Sequence, residues 1–529
     1  MNRHKLFQNK RLKVSFATVS ALKNVIFQTD HAAAIECPAV DPAEDRRSRG
    51  AWIGMGLMAA AGVLLIFLFP GSPEQDTDYH FLMARTAWVD HSLFVNVWAR
   101  PLFTTLFAPA AQIGYTEARF FALLISLAVA WQTYRLATDL QLRRPWLVIF
   151  LLLGQPVFFE LYTDLYTETL FALVFVLALR SHTAGSTGRG MLIASLLPLA
   201  RPEGVFLCIL WGAWVLIRPE ADSDRALSLV SVTRRLPSTL TLALGVVCWW
   251  LAALILTADP LFILHNWPET WHKGMYGHGT FFSYGARSLE FAGGLLIVPF
   301  VTGLCLRVRS RSWLPITSSF LLLFLLHSIF RRYGLFGEAG YPRYMVSVTP
   351  AIGVVTLDGW NRIMAVKLPR QILRLLGATV VTLSLLTCVL YVDAMSWARD
   401  PIAIDEMAGW LKQHYYPLPE VIWSNGRMCS VLGLNFKTSP ALSGRENLIT
   451  RLREAPSGSI VFWDDHIGPD WFGMTAGDIE RQGYRLLIDR QYLLHAVTYP
   501  DDRFMNVPWA PFINLLGPRE LKLSLLQKP

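Results

Sequence analysis

Apolar runs separated by short polar segments recur along most of this chain. The first occupies 51–70 and ends in Phe69-Pro70-Gly71. Crossing about 30 Å of hydrocarbon takes a helix of about 20 apolar residues. Further runs lie at 115–134, 145–161, 165–180, 189–200, 204–217, 237–257, 290–306, 313–330, 344–358 and 374–393, which makes eleven expected spans. The pattern predicts a polytopic α-helical membrane protein. The first run carries no small-x-small cleavage site behind it and reads as an uncleaved anchor.

The stretch 189–218 is interrupted by Arg201-Pro202-Glu203-Gly204. Read as a hairpin, its first arm holds about 12 residues, or about 18 Å of helix, too short to cross. Its tip would then sit below the membrane surface, where irregular backbone persists only against protein or a wet cavity.

After residue 393 the pattern changes. Helical periodicity at 404–414, 447–454 and 476–482 alternates with extended stretches at 420–424, 459–463 and 484–489. This predicts a small α/β domain beyond the membrane. The expected organisation is a basic tail over 1–50, a membrane domain over 51–393 and an α/β domain over 394–529.

Charge fixes the expected sides. With the N-terminus inside, the predicted cytoplasmic loops carry Arg135, Arg143 and Arg144; Arg180 and Arg189; Arg218, Arg225, Arg234 and Arg235; Arg307, Arg309 and Arg311; and Arg362, Lys367, Arg370 and Arg374. All are basic, as the positive-inside rule requires. The odd number of spans puts the α/β domain outside. The net charge of +9 and the 16% of charged residues therefore read as topology, not as nucleic-acid binding. Four of the six cysteines lie in apolar runs, and Cys429 is alone in its domain, which excludes a disulfide within it.

Ionisable groups at membrane edges and within spans are costly, so each is a functional candidate. Four clusters stand out. Asp76 and Asp78, with Glu74 and His80, follow the first span and precede a helix whose Phe81, Ala84 and Trp88 share a face. One carboxylate could take a proton from an acceptor hydroxyl; either Asp could instead cap the helix. Asp164 and Glu168 are spaced to share a helical face, or to cap the span that follows. Arg201 and Glu203 form either a self-neutralising pair or a phosphate contact through the planar Arg fork. Arg331, Arg332, Glu338, Arg343 and Tyr344 lie in a loop predicted outside, against the positive-inside pattern. A lipid phosphate or partners in the outer domain would account for them. His265, His272 and His278 match no compact metal-ligand spacing, and Trp463-Asp464-Asp465-His466 ends a predicted strand.

In order and spacing these features resemble the GT-C class of integral membrane glycosyltransferases, whose bacterial members include protein mannosyltransferase-like and lipid A aminoarabinose transferase-like enzymes. The residues that carry the resemblance are Asp76, His80 and Ala84, then Glu168, then Ala200-Arg201-Pro202-Glu203-Gly204, then Pro342-Arg343-Tyr344, within 51–393. It implies a bacterial inner or plasma membrane and a polyprenyl-phosphate-linked sugar donor. It implies a glycan, lipid or protein acceptor, Asp76 as general base with Asp78 nearby, and Arg201 and Arg343 at the donor phosphate. Family members commonly have an acid directly after the first Asp; here Thr77 intervenes, so the choice between Asp76 and Asp78 stays open. Members differ in metal use, and neither a divalent cation nor any other cofactor is inferred. The competing reading is a transporter or lipid flippase, for which the sequence offers neither deep charged relays nor a repeat.

Overall fold

The computed structural model describes residues 42–69, 71, 75–217, 229–268, 271, 277–365, 369–396, 400–438, 444–465, 467–494 and 519–529. Most of the basic tail expected over 1–50 lies outside the described residues, as do Glu74, Arg218, Arg225, His272, Lys367 and His466. The elements that frame the site are α1 (Pro42–Leu68), α2 (Gln75–Thr86), α3 (Tyr115–Asp139), α4 (Thr167–Thr183), α5 (Leu314–Tyr333), α6 (Arg370–Ser396), α7 (Asp400–His414) and α8 (Gly426–Leu432).

Among the described residues, five helices are long and apolar enough to cross a membrane: Ser48–Leu68, Tyr115–Asp139, Thr233–Thr257, Leu314–Tyr333 and Gln371–Val389. The other expected spans are shorter or broken. The run at 145–161 divides at Gly154 and Gln155 into Leu147–Leu153 and Pro156–Leu161. Pro156 supplies the break, because it has no N–H to continue the helix before it. Apolar helices Thr187–Ala200, Gly204–Ile217 and Gly294–Arg307 are also shorter. The run at 344–358 starts as a 3-10 turn, Pro342–Val348, and becomes α-helical only over Thr349–Ile363. Arg201, between two of these short arms, has an extended backbone and is buried. Irregular backbone of this kind is sheltered by protein.

Two of the shorter helices meet backbone to backbone. A Cβ on Gly359 would fall 1.9 Å from the Pro299 carbonyl oxygen, and one on Gly303 would fall 2.1 Å from that of Val355. Small residues at such crossings let apolar helices approach closely.

The C-terminal region forms a four-stranded sheet in the order β1-β2-β4-β3, from β1 (Val421–Trp423), β2 (Ile460–Asp464), β3 (Arg485–Leu494) and β4 (Arg519–Gln527). The β1–β2 pair is parallel, and β4 runs antiparallel to both its neighbours. Residues Arg47–Pro529 pack as one unit. The reason lies in a shared core: Tyr79, Phe81 and Leu82 of α2 are buried with Trp423, Met428, Leu523 and Leu525 of the α/β region. The helix bearing the acidic motif is thus wedged between the apolar helices and the sheet.

Candidate functional site

Residues two apart on a helix point to nearly opposite faces, while residues four apart share one. On α2 this separates the two aspartates. Asp76 and His80 lie on one face; Asp78 lies on the other, with Arg85.

The Asp76 face meets a continuous chain of ion pairs. Asp76 Oδ2 accepts a hydrogen bond from Arg343 Nη2. Arg343 Nε lies 3.6 Å from Glu168 Oε1, which is also 2.7 Å from Arg201 Nη1. Arg201 Nε pairs in turn with Glu203, and its Nη1 donates to Thr167 Oγ1 at 2.9 Å. Aromatic faces support both cations. The Arg343 guanidinium stands 4.7 Å from the Tyr341 ring, 5.0 Å from Tyr166 and 5.7 Å from Tyr344. Arg201 stands 5.1 Å from Tyr344, whose ring stacks on His327. Four segments distant in sequence therefore meet here, beside Asp76, Glu168, Arg201–Glu203 and Arg343–Tyr344. Within the chain Asp76 is the open member: its side chain is 37% accessible, against 2% for Glu168 and 8% for Glu203.

Partial removal from water pushes the Asp76 carboxyl up, but the charge and hydrogen bond of Arg343, with the charge of Arg100, outweigh it and hold the group below its ordinary value. Burial drives His80 down to about 3 despite the attraction of Asp76. Its ring lies flat on Trp98 at 4.7 Å and against Phe103 at 5.1 Å. His80 is therefore a neutral, stacked neighbour of the acid at ordinary pH.

Arg100 belongs to the same surroundings and was missed in the sequence. Burial lowers it to about 10, with Arg201 acting in the same direction and Glu203, Glu168 and Asp76 opposing. Its backbone is held at φ 62, a left-handed conformation costly for a non-glycine residue. Strain of that kind concentrates at ligand sites. The guanidinium donates to the Val97 carbonyl at 2.8 Å and lies 4.9 Å from the Trp271 ring. Among the described residues, no carboxylate pairs with it. The one local signal was an arginine placed directly before Pro101, which opens a helix.

Two expectations need correction. Asp164 and Glu168 do not share a helical face, because α4 begins only at Thr167 and Asp164 stays in the preceding turn. Asp164 pairs with Arg119 at 2.9 Å, while Glu168 turns to Arg201. Nor does the whole 331–344 stretch enter the ion-pair chain, and Arg331 and Arg332, expected in a loop, form the last turn of α5. Arg331 is buried, with Nη1 3.4 Å from the Glu338 carbonyl oxygen and its side chain against Gly279 and Gly340. Glu338 itself is held by Tyr284 and by His327 at 2.8 Å. Arg332 is exposed. The cationic excess that marked this loop is thus taken up partly by its own fold, and Arg343 with Tyr344 carries its link to Asp76.

The opposite face of α2 meets the α/β region. Arg427, in α8, makes a two-pronged contact with Asp405 at 2.9 and 2.8 Å and places Nη1 3.9 Å from Asp78 Oδ1. Its neighbour Gly426 lies so close that an added Cβ would be 3.2 Å from Asp78 Cβ. Burial drives the Asp78 carboxyl up to about 7; Arg427 opposes this, while Asp405 and Asp164 reinforce it. Asp464, at the end of β2, is buried and accepts from Asn425 Nδ2 at 3.0 Å, so it braces the α/β region. Among the described residues no group of three or more His, Cys, Asp or Glu side chains is arranged to hold a metal ion.

No family model matches the chain, and none of the curated proteins matches it. The chemistry must therefore be read from the site. Three carboxylates (Asp76, Glu168, Glu203) lie near three guanidiniums (Arg100, Arg201, Arg343); Asp76 is accessible, and Arg100 forms no ion pair with an acid among the described residues. Such a set can accept a proton at Asp76 and neutralise charge developing beside it.

Proposed function

We propose that the chain is a GT-C-type glycosyltransferase that moves a sugar from a polyprenyl-phosphate donor to an acceptor hydroxyl, with inversion. The observation that carries this reading is the Asp76–Arg343 pair within a chain of acids and arginines from four distant segments. In the proposed arrangement eleven segments enter the membrane, some as short or broken helices. The N-terminus is cytoplasmic, and the site and the α/β region lie on the outer side.

Asp76 is assigned the base instead of Asp78, because it is 37% accessible while Asp78 is 5% accessible and engaged with Arg427. Arg100 and Arg343 receive the donor phosphate. A phosphate on Arg343 competes with Asp76 for its guanidinium and leaves the carboxylate available to the acceptor. The acceptor oxygen attacks the anomeric carbon from the face opposite the phosphate, and its proton passes to Asp76. The bond from that carbon to the phosphate oxygen breaks, and the electron pair leaves on the lipid phosphate, where the Arg343 guanidinium stabilises it while Arg100 holds the phosphate throughout. Arg201, held by both Glu168 and Glu203, keeps the cluster in register.

The test is transfer of label from a radiolabelled prenyl-phosphate sugar in membranes carrying the chain. Label reaching an acceptor, and lost in Asp76→Ala, supports the proposal. A folded protein that moves the labelled lipid between leaflets without ever transferring sugar would instead be a flippase.

A further inference from the structure

A second hollow opens on the other face of α2, apart from the Asp76 chain. It measures ≈ 270 Å³ and lies between α2, the start of α3 and α8. Three arginines, Arg85, Arg119 and Arg427, line it together with Tyr115, Thr116 and Ser430, and none of its lining residues is acidic. The acids that hold Arg119 and Arg427, namely Asp164 and Asp405, are not part of that lining. Two of the arginines are fixed in place: the Arg119 side chain is 4% accessible and the Arg427 side chain 11%. The Arg427 guanidinium also lies 5.2 Å from the Tyr115 ring. Arg85 is exposed and has no acid partner among the described residues.

We infer that this hollow is an anion site that takes a phosphate group. Each guanidinium offers up to five N–H donors in a planar fork. Arg119 gives Nε and Nη1 to Asp164 and to the carbonyls of Thr163, Ile66 and Phe69, and Arg427 gives Nε and Nη2 to Asp405. The exposed Arg85 is therefore the principal donor, and the other two supply mainly charge. A carboxylate has two oxygens to receive such donors, whereas phosphate presents oxygens in several directions and suits a free fork set beside further guanidinium charge. The place is also suited to a headgroup. Ile66, near the end of candidate span Ser48–Leu68, lines it, as does Tyr115, which opens candidate span Tyr115–Asp139. The phosphate could thus belong to an anionic phospholipid or be free in solution. The inference stands independently of the transferase reading, since it uses none of the Asp76 cluster.

The test uses the purified full chain in detergent, with the melting midpoint as readout. Inorganic phosphate is titrated at constant ionic strength against chloride, and phosphatidylglycerol is titrated against phosphatidylcholine. A saturable rise with inorganic phosphate supports a phosphate site open to solution. A rise with phosphatidylglycerol alone supports a lipid headgroup site. In either case Arg85→Gln, which removes an exposed side chain, should weaken the apparent affinity about tenfold, as expected for losing a charge-assisted hydrogen bond. Arg332→Gln, which removes an exposed arginine outside the hollow, should leave that affinity unchanged. No saturable rise with either probe, or a rise whose apparent affinity is the same in Arg85→Gln as in the parent, overturns the inference.

Discussion

Arg343 and Asp76 are 267 residues apart in sequence and joined side chain to side chain. The contact binds the 3-10 turn Pro342–Val348 to α2, and through Glu168 it reaches the irregular tip at Arg201. In the proposed reaction this pair sets both the position of the base and its availability. Asp76→Asn keeps the shape and removes the proton acceptor. Transfer should fall about 10²- to 10⁴-fold, the usual contribution of a general base. Initial rates with labelled donor, on protein checked by gel filtration, decide this; a rate within a few-fold of the parent removes Asp76 from the role.

Arg100 differs from Arg201 and Arg343 in having no acid partner among the described residues, so its charge is the one most available to a phosphate. Arg100→Gln should raise the KM for the donor about tenfold with a smaller change in kcat, as for a contact made equally in ground and transition states. Arg332→Gln, at an exposed position, should alter neither. Equal effects of the two substitutions would show that the loss is one of general surface charge.

Asp78 makes stability depend on pH. Its carboxyl rises from 3.8 to about 7 on folding, chiefly through burial. Between those values the native state keeps a proton that the unfolded chain has released, so stability falls as pH rises through that window. Asp78→Asn has no such proton. Relative to the parent, the melting temperature of the variant should therefore climb between about pH 4 and pH 7 and level off above that. A difference that stays flat across this range would contradict the assignment.

Gly426 tests the seam between α2 and the α/β region. Its missing side chain lets α8 approach Asp78 and Tyr79. Gly426→Val should cost about 1–3 kcal/mol, the range for overpacking a close contact. Denaturant or thermal unfolding measures it, and limited proteolysis should show the α/β region released first.

Much of this fold was legible because a membrane writes its demands into long apolar runs. The helix starting near 115 and the one ending near 333 emerged close to where hydropathy placed them. Length was harder to read. Pro156 breaks a segment that composition alone treats as continuous, whereas the break at Arg201-Pro202 was visible in the sequence, and at both places burial against protein shelters the irregular backbone. In the site, Asp76, Glu168, Arg201, Glu203 and Arg343 could be named from their costly placement, and Arg201–Glu203 as a pair, but not the pairings that join distant segments. Those depend on where a helix begins, as the parting of Asp164 from Glu168 shows. Arg100 gave little warning, because its role rests on a backbone conformation that no spacing encodes. β4 was missed although Leu521, Leu523 and Leu525 alternate with polar residues, the ordinary mark of a half-buried strand.

That overlooked strand has an effect on how the molecule comes together. β2 and β3 never touch; each is bonded to β4, which slots between them. A nascent chain that has reached residue 494 therefore holds two ribbons with bare edges and no way to join them. Only when 519–527 arrives can the sheet close over the core it shares with α2. Until that moment the helix carrying Asp76 lacks one of its walls, so the Asp76–Arg343 cluster gains its full support only late in folding.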